Sequence, residues 1–206
     1  MLSQSVASEL REAISAGEFQ PGEQLSEVKA AERFNCSRNT LRESFTRLAA
    51  ERIVERIPNR GVFLAMPDTD YIRDLFAARA AIEPAAVRWG AFADAPSLVT
   101  LTSSAFDYAA RGEHQEVSAI NQRFHRALVA ALGSPTLNEQ MDNLLARMRL
   151  TFLLAIPRYP QLHADHIQGN ITLATLIADG KRLEAATLSH DSLMNTCEKI
   201  LAVLDD

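Results

Sequence analysis

The chain has 206 residues, 47% of them apolar and 23% charged, with eight glycines and eight prolines. That composition supports a packed core, excludes a low-complexity chain, and suits one large domain or two small ones. Its two cysteines, Cys36 and Cys197, share no paired spacing, which argues against a disulfide scaffold or a cysteine-based zinc site and for a reducing, cytoplasmic location. The longest apolar stretch is cut by Pro157 and Arg158, and the first residues (Ser3, Gln4, Ser8, Glu9, Arg11) are polar. Neither a membrane span nor a secretory leader is expected.

The formal net charge of −5 argues at first against a nucleic-acid partner. Its distribution reverses that reading. Residues 1–66 carry nine Lys/Arg and nine Asp/Glu, and residues 38–60 carry six Arg against three Glu. A basic stripe on a neutral module can meet phosphates while an acidic second module keeps the protein in solution.

In chain order, Val6, Leu10, Ala13 and Ile14 recur at helical spacing, and Gly17 closes that helix before a Pro21-Gly22 turn. Ser26 is placed to cap a short helix from Glu27 to Phe34, which Asn35 ends in the left-handed region. Ser37 caps a third helix, Arg38 to about Glu51, with Leu41, Phe45, Leu48 and Ala49 on its apolar face. Ile53–Ile57 reads as a strand, Pro58-Asn59-Arg60-Gly61 as a turn, and Val62–Leu64 as the returning strand. Pro67-Asp68 marks the boundary between a domain of residues 1–66 and one of 67–206. Beyond it the pattern is helical throughout, with helices near 69–92, 96–111, 113–132, 134–156, 160–179 and 181–204.

Two short helices joined by a tight turn and followed by a hairpin form a winged helix-turn-helix. Its second helix lies in the major groove, where each base pair has its own donor and acceptor pattern. Arg38, Asn39, Arg42 and Glu43 lie opposite the apolar stripe, and Arg38 and Arg42 share a face four residues apart. Asn59-Arg60-Gly61 puts a cation at the wing tip. The competing reading is a merely solvated helix, and the order of the elements favours DNA.

The segments Gly17–Glu27, Cys36–Phe45, Leu48–Val54 and Pro58–Leu64 together resemble the DNA-binding domain of GntR-type regulators. The resemblance implies DNA contacts from Arg38, Arg42, Arg47 and Arg60, with Ser37, Asn39, Thr40, Asn59 and Gly61 around them and Arg11 on a phosphate. Three positions depart from the family pattern: Thr40 for the usual Pro, Asn35 for Gly and Ala30 for Leu.

The remainder, through Leu75–Glu83, Asn121–Leu128 and Ala178–His190, is similar to the FCD effector domain of the FadR-like branch. The resemblance implies a mainly α protein: a winged module followed by an antiparallel all-helical bundle around a cavity for a small carboxylate. Many such domains hold a divalent metal on one Asp and three His. The corresponding positions are Asn121, His125, His166 and His190, with Gln168 the alternative to His166 by spacing from Asp179. Asn121 supplies only a carbonyl oxygen where the family has a carboxylate. Zinc or nickel is the expected ion. Arg79 and Arg149 are candidates for the effector carboxylate, against the alternative that Arg79 bridges Glu83 at i+4. His114 and His163 read as ordinary surface or core residues.

The expected protein is a regulator rather than an enzyme. It binds double-stranded DNA as a homodimer matched to a palindromic operator. The alternative is a metal-dependent enzyme or metal sensor built on the histidines, and it lacks a general base beside them.

Overall fold

A computed structural model describes residues 2–205. The chain begins with α1 (Leu2–Ser15), β1 (Gln24–Leu25), α2 (Glu27–Arg33), α3 (Arg38–Ala50), β2 (Val54–Ile57) and β3 (Gly61–Leu64). It continues with α4 (Thr69–Trp89), α5 (Ala95–Ala110), α6 (His114–Ala130), α7 (Pro135–Ala155), α8 (Leu162–Ala178) and α9 (Arg182–Asp205). It forms two compact units, residues 1–68 with 143–154, and residues 69–142 with 155–206. No helix among the described residues is long and apolar enough to cross a membrane.

The first unit buries Val6, Leu10 and Ile14 of α1 against Leu41, Phe45 and Leu48 of α3, with Ile53, Val62 and Leu64 closing the core. These are the positions marked by the helical period. Both caps form as the sequence suggests: the Ser26 hydroxyl accepts from Lys29 N–H at 3.4 Å, and the Ser37 hydroxyl from Thr40 N–H at 3.1 Å. Each satisfies an amide that a helix start leaves without a partner. Asn35 and Asn59 both adopt positive φ, at 46° and 61°.

The sheet has the order β1-β3-β2, antiparallel throughout, with Leu25 opposite Val62 and Ile57 opposite Gly61. The sequence showed only the β2–β3 hairpin. β1 is two residues long, too short to display an alternation, and pairs only because Gln24 and Leu25 are brought beside β3. The Gln24 amide also donates to the Arg60 carbonyl at 2.7 Å, fastening the turn between the strands.

Gly17 ends α1 with φ +82°, and the Arg149 guanidinium packs where its Cβ would stand. An alanine there meets both the left-handed penalty and that side chain. We expect Gly17→Ala to cost at least about 1–2 kcal/mol, measured by denaturant unfolding.

In the second unit α4 packs on α9, and α5 on α6 and α8. Val87, Leu98, Phe124, Leu128, Leu173 and Ile177 form one buried cluster; Ala105, Val117, Ile120 and Ile167 form another. α4 stops at Trp89, short of the expected residue 92. The Arg182 guanidinium donates to the Val87 and Gly90 carbonyls, at 3.0 and 3.2 Å, and satisfies oxygens that a helix end leaves open.

Candidate DNA interface and effector cavity

α3 presents Arg38, Asn39, Arg42 and Arg47 to solvent, while Leu41, Phe45 and Leu48 anchor its opposite face. Ser37 and Thr40 stand at the helix start with hydroxyl oxygens 2.9 Å apart. The Arg42 guanidinium is engaged by Glu27 of α2, at 3.0 Å to the nearer oxygen, and that bond holds the Glu27 carboxyl below its ordinary range. The pair is largely exposed, so it is weak and exchanges readily for a phosphate or base edge. Replacing Glu27 with glutamine removes that competitor. We expect Glu27→Gln to tighten DNA binding several-fold at low salt, read by fluorescence anisotropy, with the gain shrinking as salt rises.

At the wing, Asn59, Arg60 and Gly61 are all exposed, and the Arg60 guanidinium lies 5.5 Å from the Phe63 ring centroid. The sequence reading overlooked Arg56. It points outward from β2 and donates to the Thr46 hydroxyl at 3.1 Å, on the side of α3 that carries Arg42. The alternation of β2 was the available signal for it.

Arg11 departs from its expected place on a phosphate. It is buried, and its guanidinium donates to both carboxylate oxygens of Glu51 at 2.8 Å. The pair ties α1 to the C-cap of α3, so Arg11 holds the recognition helix in place from behind.

The helical unit contains a buried relay. Arg79 Nε donates to Glu83 at 2.6 Å, and His125 Nδ1 lies 2.6 Å from the other Glu83 oxygen. Burial pushes the Glu83 carboxyl up, but the charges and hydrogen bonds of Arg79 and His125 outweigh it and hold the carboxyl at about 2. His166 moves the other way, to about 3, because burial disfavours its cation and the charges of His125 and Arg79 add to that.

Beside this relay, a cavity of about 10 Å³ opens between α5, α6 and α8. Thr102, Asn121, His163, His166 and Asn170 supply its polar groups, and Asn170 donates to the Asn121 carbonyl at 2.7 Å. His166 also lines a second cavity of about 50 Å³ between α8 and α9, together with Asp165, Ser192, Asn195 and Lys199.

Of the expected metal ligands, Asn121 and His166 line one cavity, and His190 does not join them. α8 turns His166 toward the cavity and leaves Gln168 exposed, with its amide directed at Thr172. His190 is exposed on α9 and faces its neighbour Asp191 at 3.1 Å. The Asn121 amide oxygen accepts from Asn170, and the bond of His125 Nδ1 to Glu83 leaves Nε2 as the ring's other nitrogen. Among the described residues no three His, Cys, Asp or Glu side chains are placed to hold an ion. Of the two expected effector arginines, Arg79 pairs with Glu83 in the relay beside the cavity, and Arg149 packs at Gly17.

A winged module with an outward-facing arginine helix, followed by a helical unit with a polar cavity, defines a DNA-binding regulator. Comparison with known proteins agrees. Residues 2–64 match the family of bacterial regulatory proteins called gntR, and residues 74–194 match the FCD domain. The chain belongs to the GntR family, in its FCD-containing form.

The chain is 25% identical over 189 residues to the Nta operon transcriptional regulator of Aminobacter aminovorans, covering 90% of this chain and 88% of that one. It is 29% identical over 160 residues to the galactonate operon transcriptional repressor of Escherichia coli, covering 66% and 69%. A GntR transcriptional regulator from Rhodococcus sp. RHA1 superposes with a TM-score of 0.82 at 29% identity, over 97% of both chains. The family and the relatives are transcriptional regulators.

Proposed function

We propose that the protein is a repressor that binds a palindromic operator as a homodimer and responds to a small carboxylate. The observation that carries the DNA part is the α3 face: three exposed arginines and an asparagine on a helix whose other side is locked into the core. Two-fold symmetry matches two half-sites and doubles the contacts. A ligand that prefers one arrangement of the dimer shifts operator affinity by its differential binding. The repressor reading is supported by the galactonate operon repressor among the relatives. The carboxylate reading is supported by the same relative, whose operon is named for a sugar acid, and by the hydrogen-bonding groups of the cavity.

The test is a gel shift on a palindromic fragment from the protein's own promoter region, with the mass of the complex measured by light scattering. Two protomers per operator and a preference that survives moderate salt are expected. A folded protein that binds all sequences alike would overturn the reading.

A further inference from the structure

We propose that Arg56 is a phosphate contact: from the edge strand β2 it meets the wall of the major groove in which α3 lies. The inference deepens the DNA-binding reading above and rests on it.

The placement begins with the sheet. β2 is an edge strand in the order β1-β3-β2, and Arg56 lies opposite Val62, which is buried. Residues opposite each other in a ladder project from the same face. The Arg56 stem therefore leaves the sheet on its core side, and the exposed side chain runs past the sheet edge to α3. There Nη1 donates to the Thr46 hydroxyl at 3.1 Å. That hydroxyl donates in turn to the Arg42 carbonyl at 2.9 Å, so its proton is committed and it meets the guanidinium as an acceptor. Thr46 takes one of the five guanidinium N–H donors and holds the group without neutralising it. The charge is felt at Glu27, whose carboxyl Arg56 helps Arg42 and Arg38 to hold below its ordinary range.

A phosphate, rather than a base, follows from size. The major groove is about 12 Å wide and an α-helix with its side chains about 10–12 Å across, so α3 fills the groove. A cation carried beside the helix by a separate strand meets the groove wall, which is sugar and phosphate. Thr46 also stands roughly 12 Å along the axis from Arg38, away from the helix start that reads base edges. Arg38, Arg42 and Thr46 follow at four-residue spacing along one side of α3, and Arg56 extends that basic edge by one more cation. Its planar fork matches two phosphate oxygens, and its bond to Thr46 reduces the side-chain freedom lost on docking.

The test is anisotropy titration of random-sequence DNA with the full chain and its Arg56→Met, Arg56→Lys and Thr46→Val variants at several salt concentrations. Arg56 and Thr46 are exposed, so all three are expected to unfold thermally as the wild type does. Arg56→Met is expected to weaken binding about three- to tenfold near about 0.1 M salt, and to lower the salt slope by about 0.9 for each protomer bound. Arg56→Lys keeps the charge and is expected to keep the slope. Thr46→Val is expected to stay within about twofold of the wild type. Wild-type affinity and slope in a folded Arg56→Met protein overturn the inference. So does an equal loss in Thr46→Val, because Arg56 would then act only by bracing α3. Random-sequence DNA decides the phosphate contact without an operator. A wild type that binds it but does not prefer its own promoter fragment counts against the operator reading alone, and one that binds no DNA overturns both.

Discussion

Arg38→Ala is expected to weaken operator binding by about 1–3 kcal/mol, roughly ten- to a hundredfold, and to relax the preference at one base pair of each half-site. The expectation follows from where the residue stands. Arg38 is the first residue of α3, exposed, directly after the Ser37 cap. The start of a recognition helix is the part that reaches base edges, and the cap fixes its direction. Arg42, one turn on, contributes comparably only after it exchanges Glu27 for DNA, so Arg42→Ala is expected to cost less than Arg38→Ala at equal salt. Arg60→Ala, at the wing, is expected to weaken binding to all sequences about equally and to lower the salt slope by about one. Anisotropy titrations at several salt concentrations, with thermal unfolding as a control, separate these effects. A normally folded Arg38→Ala/Arg42→Ala protein with wild-type affinity and preference would remove α3 as the reading helix.

The second large effect lies in the helical unit. Glu83→Gln is expected to destabilise the protein by about 3–5 kcal/mol at neutral pH, because Arg79 then keeps a buried charge without its counterion. Both side chains are almost wholly buried, with relative exposures of 2% and 0%, so solvent does not screen the loss. The pH dependence provides an independent check. The folded carboxyl sits at about 2, against an ordinary value of 4.5. A group whose folded value is depressed stabilises the fold above the unfolded value and loses that contribution as pH falls through the folded one. Wild-type stability from this source is therefore full above about 4.5 and declines toward about 2. Glu83→Gln should lose that slope as well as the stability. Urea unfolding of both proteins across this pH range measures it. Equal slopes would show that the relay carries no such load.

Much of the fold was legible because the relevant signals are local. The Ser26 and Ser37 caps, the left-handed Asn35, the turn at Pro58–Gly61 and the apolar stripe of α3 all act within one or two turns of chain. The i, i+4 bridge from Arg79 to Glu83 was legible for the same reason. Arg11 was misplaced because its partner, Glu51, is forty residues away and no short-range pattern links them. His125 could be set at the right spacing from Asn121, but that it would face Glu83 could not. The choice between His166 and Gln168 depended on the rotation of α8, which two residues of sequence offset cannot resolve.

By itself, the sequence determined a winged, arginine-bearing reading module and a helical module that follows it in the chain, since helical period, caps and turns are properties of neighbouring residues. Only the tertiary structure decided which polar side chains share a cavity. Packing rotates α8 and α9 so that His166 turns inward and His190 outward, and it engages Asn121 with Asn170. Such rotations are set by the summed burial of apolar faces over whole helices, and that sum is not contained in the spacing of any single motif.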